Sequence, residues 1–426
     1  MVRLVKLFIF ILAVTKLPHN GGNNSTAFKQ QNDIRMKIKY ISLFLVSFLF
    51  ITACSSPSGN KDKPETETSD TISQAPPKTE DTVAATTKPE KPAEPVTTPE
   101  KPQKKEKPAP PPPPEPSYGK RILPSWNDTK SKQTIIDFVK SVTTKGSPYY
   151  IPPEDRVAAF DNDGTLISEQ PTYFQIEFVL YRIKKMAPNH PKWKKDKLMQ
   201  AAINHDLETL RKKFGLYGIG KLMTVAQADI TTDQYDALVK EWMKNGRHPV
   251  TGKPYSRMVF QPMMELVHYL QQNGFKVYIV SGGDIDFMRA WSESVYGIPK
   301  EHVIGSFQKL KLKNKNGKTE LIRSSEILLV NDDEEKPKSI FRAIGRRPVL
   351  AFGNSDGDIQ MLQWCSSGKG KHLAAFIHHT DAQREHAYDK ESRLTSLNKG
   401  LELAAKNKWL VVDIKKEWKI IYPRQR

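Results

Sequence analysis

Two aspartates one residue apart, Asp161 and Asp163, lie in Phe160-Asp161-Asn162-Asp163-Gly164-Thr165-Leu166. Carboxylates at that spacing can serve one reaction centre. One attacks as a nucleophile while the other carries a proton, provided a cation holds their charges together. A second stretch, Val280-Ser281-Gly282-Gly283-Asp284, sets a hydroxyl before two glycines. At a helix start that pattern is a ready anion site, because free backbone N–H groups point at the ligand. The third stretch is Gly353-Asn354-Ser355-Asp356-Gly357-Asp358, an oxygen-rich loop that suits a hard cation such as magnesium.

Each stretch follows an apolar run that reads as a buried strand. These runs are Arg156–Phe160, Lys276–Val280 and Pro348–Phe352, with two more at His372–Ile377 and Trp409–Asp413. Helical periodicity fills the gaps. Pro262 opens a helix with Met263, Val267 and Leu270 on one face, and Gly274 is placed to end it. The rhythm predicts an α/β fold, a doubly wound parallel sheet whose ligands bind at the carboxyl ends of the strands. The 115 residues from Leu166 to Val280 inclusive are too many for one crossover. Phe174, Phe178 and Tyr181 share a helical face there, and Thr231-x-x-Gln234 is a capping box before Tyr235, Leu238, Val239, Trp242 and Met243. The expectation is a helical cap over about 169–258, inserted after the first strand. Further on, Phe307–Leu312 alternates, Asn316-Gly317 offers a turn, and Glu320–Arg323 can return as a hairpin.

Composition divides the chain. Of its 31 prolines, 16 fall between Ser55 and Tyr118, a stretch with no aromatic residue before Tyr118, while all seven tryptophans lie beyond it. Such a segment buries too little apolar surface to offset its ordering entropy, so 54–118 reads as an extended tether and 119–426 as the folded part. Before the tether, Met36–Cys54 reads as a positive start, an apolar run of 12 residues and Ile51-Thr52-Ala53-Cys54. The run is too short for a permanent span. Ile-Thr-Ala-Cys resembles the lipobox of bacterial lipoproteins, which implies a signal peptide at 36–53 and acylation of Cys54. Ser55 in place of Asp resembles the default signal for the outer membrane, so the expected location is the bacterial cell envelope, anchored in the outer membrane and facing the periplasm. Translation is expected to start at Met36, with residues 1–35 an over-extended start. The folded part keeps 50 basic against 35 acidic side chains. That excess suits a solvated surface near anionic lipid or a site for phosphate-bearing substrates. No nucleic-acid motif accompanies it. Two cysteines exclude a disulfide scaffold.

The three chemical stretches, in this order, resemble the haloacid dehalogenase superfamily of phosphohydrolases over about 145–426. The wider wording, with Glu169-Gln170-Pro171 and His378-His379-Thr380-Asp381, is similar to an exported bacterial subfamily labelled phosphoserine-phosphatase-like or nonspecific acid phosphatase. The resemblance implies a magnesium-dependent phosphomonoester hydrolase acting on a small phosphorylated substrate. It makes Asp161 the nucleophile that becomes an aspartyl-phosphate and Asp163 the acid/base. Ser281 with Gly282 would bind the phosphoryl group. Lys336 would neutralise charge on nucleophile and phosphate, with Lys338 as runner-up. The implied magnesium ligands are Asp161, Asp163, Asn354 and Asp358. Asn354 departs from the aspartate usual at its position, and Asp356 is the residue available to compensate for the lost charge.

Other readings are weaker. A dehalogenase of the same superfamily needs no second carboxylate to protonate an alcohol, and Asp163 is present. A binding lipoprotein on an inactive fold is the non-enzymatic rival, kept open by Asn354. His378, His379 and Asp381 read as rim or structural hydrogen bonding ahead of a zinc site. Cys365 reads as a small buried hydrophobe, and Lys192–Lys197 as a solvated surface.

Overall fold

The computed structural model describes residues 122–389 and 395–423. The expected start at Met36, the acylated Cys54 and the Pro-rich tether lie outside the described residues.

Among the described residues, seven strands form one sheet in the order β4-β3-β2-β1-β5-β6-β7. β1 (Val157–Phe160), β2 (Lys276–Asp284), β5 (Leu350–Gly353), β6 (Leu373–His378) and β7 (Leu410–Asp413) answer to the five expected runs, each within a few residues. All pair in parallel. Successive side chains of a strand point to opposite faces, and the buried residues obey this. Ala158 and Phe160 of β1, with Leu350 and Phe352 of β5, pack against Ile135, Phe138 and Val139 of helix Lys130–Thr143 and Met263, Leu266 and Leu270 of helix Gln261–Gln272. Ala159 and Ala351 face the other way, against Ile340, Met361, Leu362 and Ala404 on helices Glu335–Ile344, Ile359–Ser366 and Lys399–Asn407. Because helices cover both faces, these strands are apolar throughout, the composition that made them legible.

Strand order runs outward from β1 through β2 in one direction and from β5 through β6 in the other, so the order reverses between β1 and β5. In an open α/β sheet that reversal leaves a crevice at the carboxyl ends. The three chemical loops follow β1, β2 and β5 and meet there.

Two expectations change in detail. The insert is helical as expected, with helices Phe174–Met186, Lys197–Ile203, Gly215–Gln227 and Thr232–Asn245, the last opened by the Thr231–Gln234 capping box. Its outer half has a core of its own around Val179, Leu180, Leu198, Met199 and Leu222. Phe174, Phe178, Tyr235 and Trp242, however, belong to the same buried cluster as β1, so half of the insert is fused to the main core. The hairpin is much longer than Phe307–Leu312 and Glu320–Arg323. β3 spans Val303–Lys315 and β4 spans Lys318–Leu329, with the turn at Asn316-Gly317. Arg323 of β4 is wholly buried. It pairs with Asp284 at 2.6 Å and with Asp286, and lies over the Tyr235 ring, so the hairpin clamps the end of β2 to the insert.

Candidate active site

The β1 loop is held tightly. Asp161 N–H donates to Phe352 O at 2.9 Å, extending the β1–β5 ladder by one residue, and Leu166 N–H turns back to Asn162 O at 2.8 Å. Between them Gly164 takes φ +76°, and a Cβ there would lie 2.0 Å from Asn354 Nδ2. Only glycine meets both demands. The turn thereby presses the two aspartates of β1 against the loop after β5.

Lys336 stands at the first turn of helix Glu335–Ile344, behind the site. Its ammonium donates to Asp161 Oδ1 at 2.7 Å and to Asp358 Oδ1 at 2.6 Å, and it is 3% exposed. Burial alone pulls a lysine towards neutrality, but Asp161, Asp358 and Asp332 outweigh it and hold Lys336 charged, above its ordinary range. Asp161 is itself pushed well up, first by burial and then by the charges of Asp358 and Asp163, with Lys336 opposing. Asp163 is raised from 3.8 to about 6, chiefly by burial. Hydrogen bonds with Asn162 and Ser281, and the charge of Lys336, pull it back. The two aspartates therefore have different tasks available. Asp161 faces a fixed cation, whereas Asp163 sits where a proton can come and go near neutral pH.

Ser281 is 1% exposed and lies within hydrogen-bonding reach of Asp163. The expected helix start at the glycines is not there. β2 continues through Gly282 and Gly283 to Asp284, which caps a short helix from Ile285 by accepting from Asp286 and Phe287 N–H. The anion-binding groups at this loop are therefore the Ser281 hydroxyl and extended backbone. Gly282 is exposed at the surface of the crevice, its carbonyl accepting from Ser306 at 2.7 Å. Asn331 holds the strand from behind, donating to Ser281 O at 3.0 Å, and Gln175 of the insert accepts from Asp284 N–H at 2.9 Å.

The β5 loop departs most from expectation. Asp358, expected among the magnesium ligands, has both oxygens committed to protein donors. Oδ1 takes Lys336, and Oδ2 takes the Asn354 and Ser355 N–H groups at 3.0 and 3.1 Å and the Ser355 hydroxyl at 3.2 Å. It acts as the counter-ion that positions Lys336. Asp356, the candidate to compensate for Asn354, faces away. It accepts from Asn398 N–H at 3.1 Å and Gly400 N–H at 2.8 Å, at the start of helix Lys399–Asn407. Asn354 is buried against the β1 turn. Thr165 donates to its Oδ1 at 3.2 Å, and its Nδ2 donates to Glu169 Oε1 at 2.9 Å.

Lys338 is half-exposed and pairs with Glu334 and Glu335, so the lysine at the site is Lys336. His379 is structural: one ring nitrogen meets Gly164 O at 2.7 Å and the other Glu385 at 3.1 Å. Asp381 accepts from Gln383 and Arg384 N–H, and His378 lies 3.6 Å from Asp389. Cys365 is buried with its thiol pushed up to about 12 by burial. Lys192, Lys194 and Lys195 are exposed, as expected of a solvated surface.

The oxygen set fits a hard dication. Asp161 and Asp163 lie beside a single buried lysine whose charge Asp161 shares with Asp358, so the negative charge exceeds the positive, and the buried Asn354 offers a neutral amide oxygen that accepts from Thr165 of the same turn.

Three comparisons with known proteins bear on these residues. Among curated proteins, no sequence matches. The chain is similar to the solved structure of a conserved functionally unknown protein from Anaerococcus prevotii, at 17% identity and TM-score 0.46 over 68% of this chain and 94% of that one. A phosphoserine phosphohydrolase-like protein from Francisella tularensis is similar at 16% identity and TM-score 0.34, over 61% of this chain and 97% of that one. Residues 158–363 match the family described as haloacid dehalogenase-like hydrolase, a span that includes the β1, β2 and β5 loops and Lys336. The strand order reverses where those loops meet, and over residues 158–363 this part of the chain is similar to a haloacid dehalogenase-like hydrolase domain.

Proposed function

We propose that the chain is a magnesium-dependent phosphomonoester hydrolase that works through an aspartyl-phosphate on Asp161, tethered to the cell envelope through lipid on Cys54. The observation that carries the catalytic reading is the asymmetry of the two β1 aspartates: Asp161 is bonded to Lys336 at 2.7 Å, and Asp163 has a pKa near 6 beside Ser281.

An Asp161 oxygen attacks phosphorus as the bond to the substrate oxygen breaks. Asp163 gives its proton to that leaving oxygen, so an alcohol departs. Asp163, now ionised, takes a proton from water as the water attacks the acyl-phosphate, which releases inorganic phosphate and restores Asp161. Ser281 and the backbone at Gly282 hold the phosphoryl oxygens, while Lys336 offsets their charge without moving. Magnesium, held by Asp161, Asp163 and Asn354, would supply the positive charge that lets a phosphate approach two carboxylates. Halide displacement uses no proton donor for an alcohol, which leaves Asp163 and its raised pKa without a task.

Phosphate release from a panel of monoesters, with and without chelator, tests the reading. Hydrolysis that chelation stops and magnesium restores is expected; hydrolysis indifferent to chelation contradicts the metal assignment. For the anchor, labelled palmitate should enter the wild type and not Cys54→Ser, and equal labelling would end that proposal.

A further inference from the structure

The outer hairpin carries an alternation that the catalytic site does not use. From Lys309 to Leu321 the sequence holds five lysines, one glutamate and no aromatic residue. In β3, Leu310 and Leu312 alternate with Lys311 and Lys313, so leucines point to one face of the ribbon and these lysines to the other. Leu312 pairs directly with Leu321 of β4, which puts a third leucine on the same face.

That face is covered at its inner end and bare towards the turn. Arg323, opposite Leu310, is buried against Asp284, Asp286 and the Tyr235 ring. The insert also runs along β4 there. Asp229 N–H donates to Arg323 O at 2.8 Å and Arg323 N–H to Ile230 O at 2.9 Å, and the pairing runs out at the Thr231–Ile322 bridge. Leu310, Leu312 and Leu321 are 43%, 71% and 41% exposed. Lys311 and Lys313 are exposed too. Among the described residues neither meets a carboxylate, because Glu320, opposite Lys313, pairs with Lys318 at 2.7 Å.

One exposed leucine is ordinary in a soluble protein, but three adjoining ones on a projecting ribbon are not. Lysines guard a ribbon against edge pairing, yet that role leaves the leucines unexplained. Whatever covers them must tolerate the charge. A second copy of the ribbon would set its own lysine excess against this one. A nucleic acid would meet the lysines but gives leucine nothing, and the tip has no ring to stack on a base. An anionic bilayer answers both features. Its acyl boundary takes apolar side chains, and its negative surface attracts lysines within a Debye length.

We propose that the β3–β4 hairpin docks on an anionic lipid bilayer, its three leucines entering the headgroup boundary and its lysines facing lipid phosphate. The inference stands on the hairpin alone and needs neither the hydrolase reading nor lipid on Cys54.

Cosedimentation of the full-length Cys54→Ser chain with vesicles tests it. Binding should be tighter to vesicles of mixed phosphatidylglycerol and phosphatidylcholine than to phosphatidylcholine alone, and raised salt should weaken it. On that background Lys311→Ser/Lys313→Ser should lose about 5-fold in affinity per lysine. Leu312→Ser/Leu321→Ser should lose about 10-fold or more, and both variants should keep the parent's thermal midpoint. Every chain shares the N-terminal apolar run, so a difference between parent and variant belongs to the hairpin. Equal binding by the parent and both variants overturns the proposal, as does equal affinity for the two vesicle types. So does a dimer, formed without lipid, that Leu312→Ser/Leu321→Ser splits, since it assigns the face to a second copy.

Discussion

Lys336 and Glu169 brace opposite sides of one catalytic turn by opposite means. On the Lys336 side, two carboxylates are held by a buried ammonium at 2.6–2.7 Å. On the Glu169 side, one carboxylate is held by an amide and hydroxyls, and burial pushes its pKa well above the ordinary value. The difference teaches how the site is poised. Burial pushes both Asp161 and Glu169 well up, but at Asp161 the buried ammonium of Lys336 opposes that push, whereas at Glu169 the opposing groups are neutral hydroxyl donors.

The largest break comes from the paired side. Lys336→Met should leave Asp161 and Asp358 facing each other uncompensated. Loss of a partner from a buried pair costs about 3–5 kcal/mol, read as a large drop in the denaturation midpoint. Turnover should fall about 10²–10³-fold or more, the scale of a removed charge-stabilising group. A variant with near-wild-type stability would show that the two hydrogen bonds to Lys336 carry little.

Asp163 sharpens the comparison through pH. Its folded value, about 6, lies above the ordinary 3.8, so ionising it in the folded state opposes folding at neutral pH. That cost fades as pH falls through 6 and is gone below about 4, where both states are protonated. Asp163→Asn should therefore stabilise the chain in chelator at pH 7.5 by on the order of 2 kcal/mol, with the gain vanishing towards pH 4. A gain independent of pH would contradict the assignment. In the wild type, leaving-group protonation needs Asp163 protonated, so kcat/KM should decline above an apparent pKa near 6 in the limit of slow substrates.

The smallest effect separates the two aspartates of the β5 loop. Asp356→Asn should cost about 1 kcal/mol, the scale of a helix cap, and leave magnesium affinity unchanged. Asp358→Asn should instead impair turnover, because it frees Lys336 from its counter-ion. If Asp356→Asn abolishes magnesium binding, the geometry of that loop has been misread.

Much of this was legible in the sequence, for identifiable reasons. Strands buried on both faces are apolar throughout, so β1 and β5 announce themselves by composition. Their ends fix Asp161, Asp163 and Asn354. The extension of β2 through Gly282-Gly283 was hidden because glycine disfavours strands and reads as a turn. The outer hairpin was hidden because its far ends, such as Lys313 and Asn314, are exposed and carry no apolar alternation. Glu169 could not be found by spacing, since its partners lie 185 and 226 residues away. Asp356 and Asp358 stand two apart in one loop, and only the fold tells which meets Lys336 and which meets Gly400.

The central claim is covalent chemistry at Asp161. Rapid mixing with a monoester substrate, an acid quench and mass spectrometry of the peptides tests it most directly. One added phosphoryl group is expected on the peptide that carries Asp161, absent from Asp161→Asn, which should also lose turnover with its fold intact. Turnover by Asp161→Asn near the wild-type rate, or a phosphoryl group trapped on another residue, would contradict it.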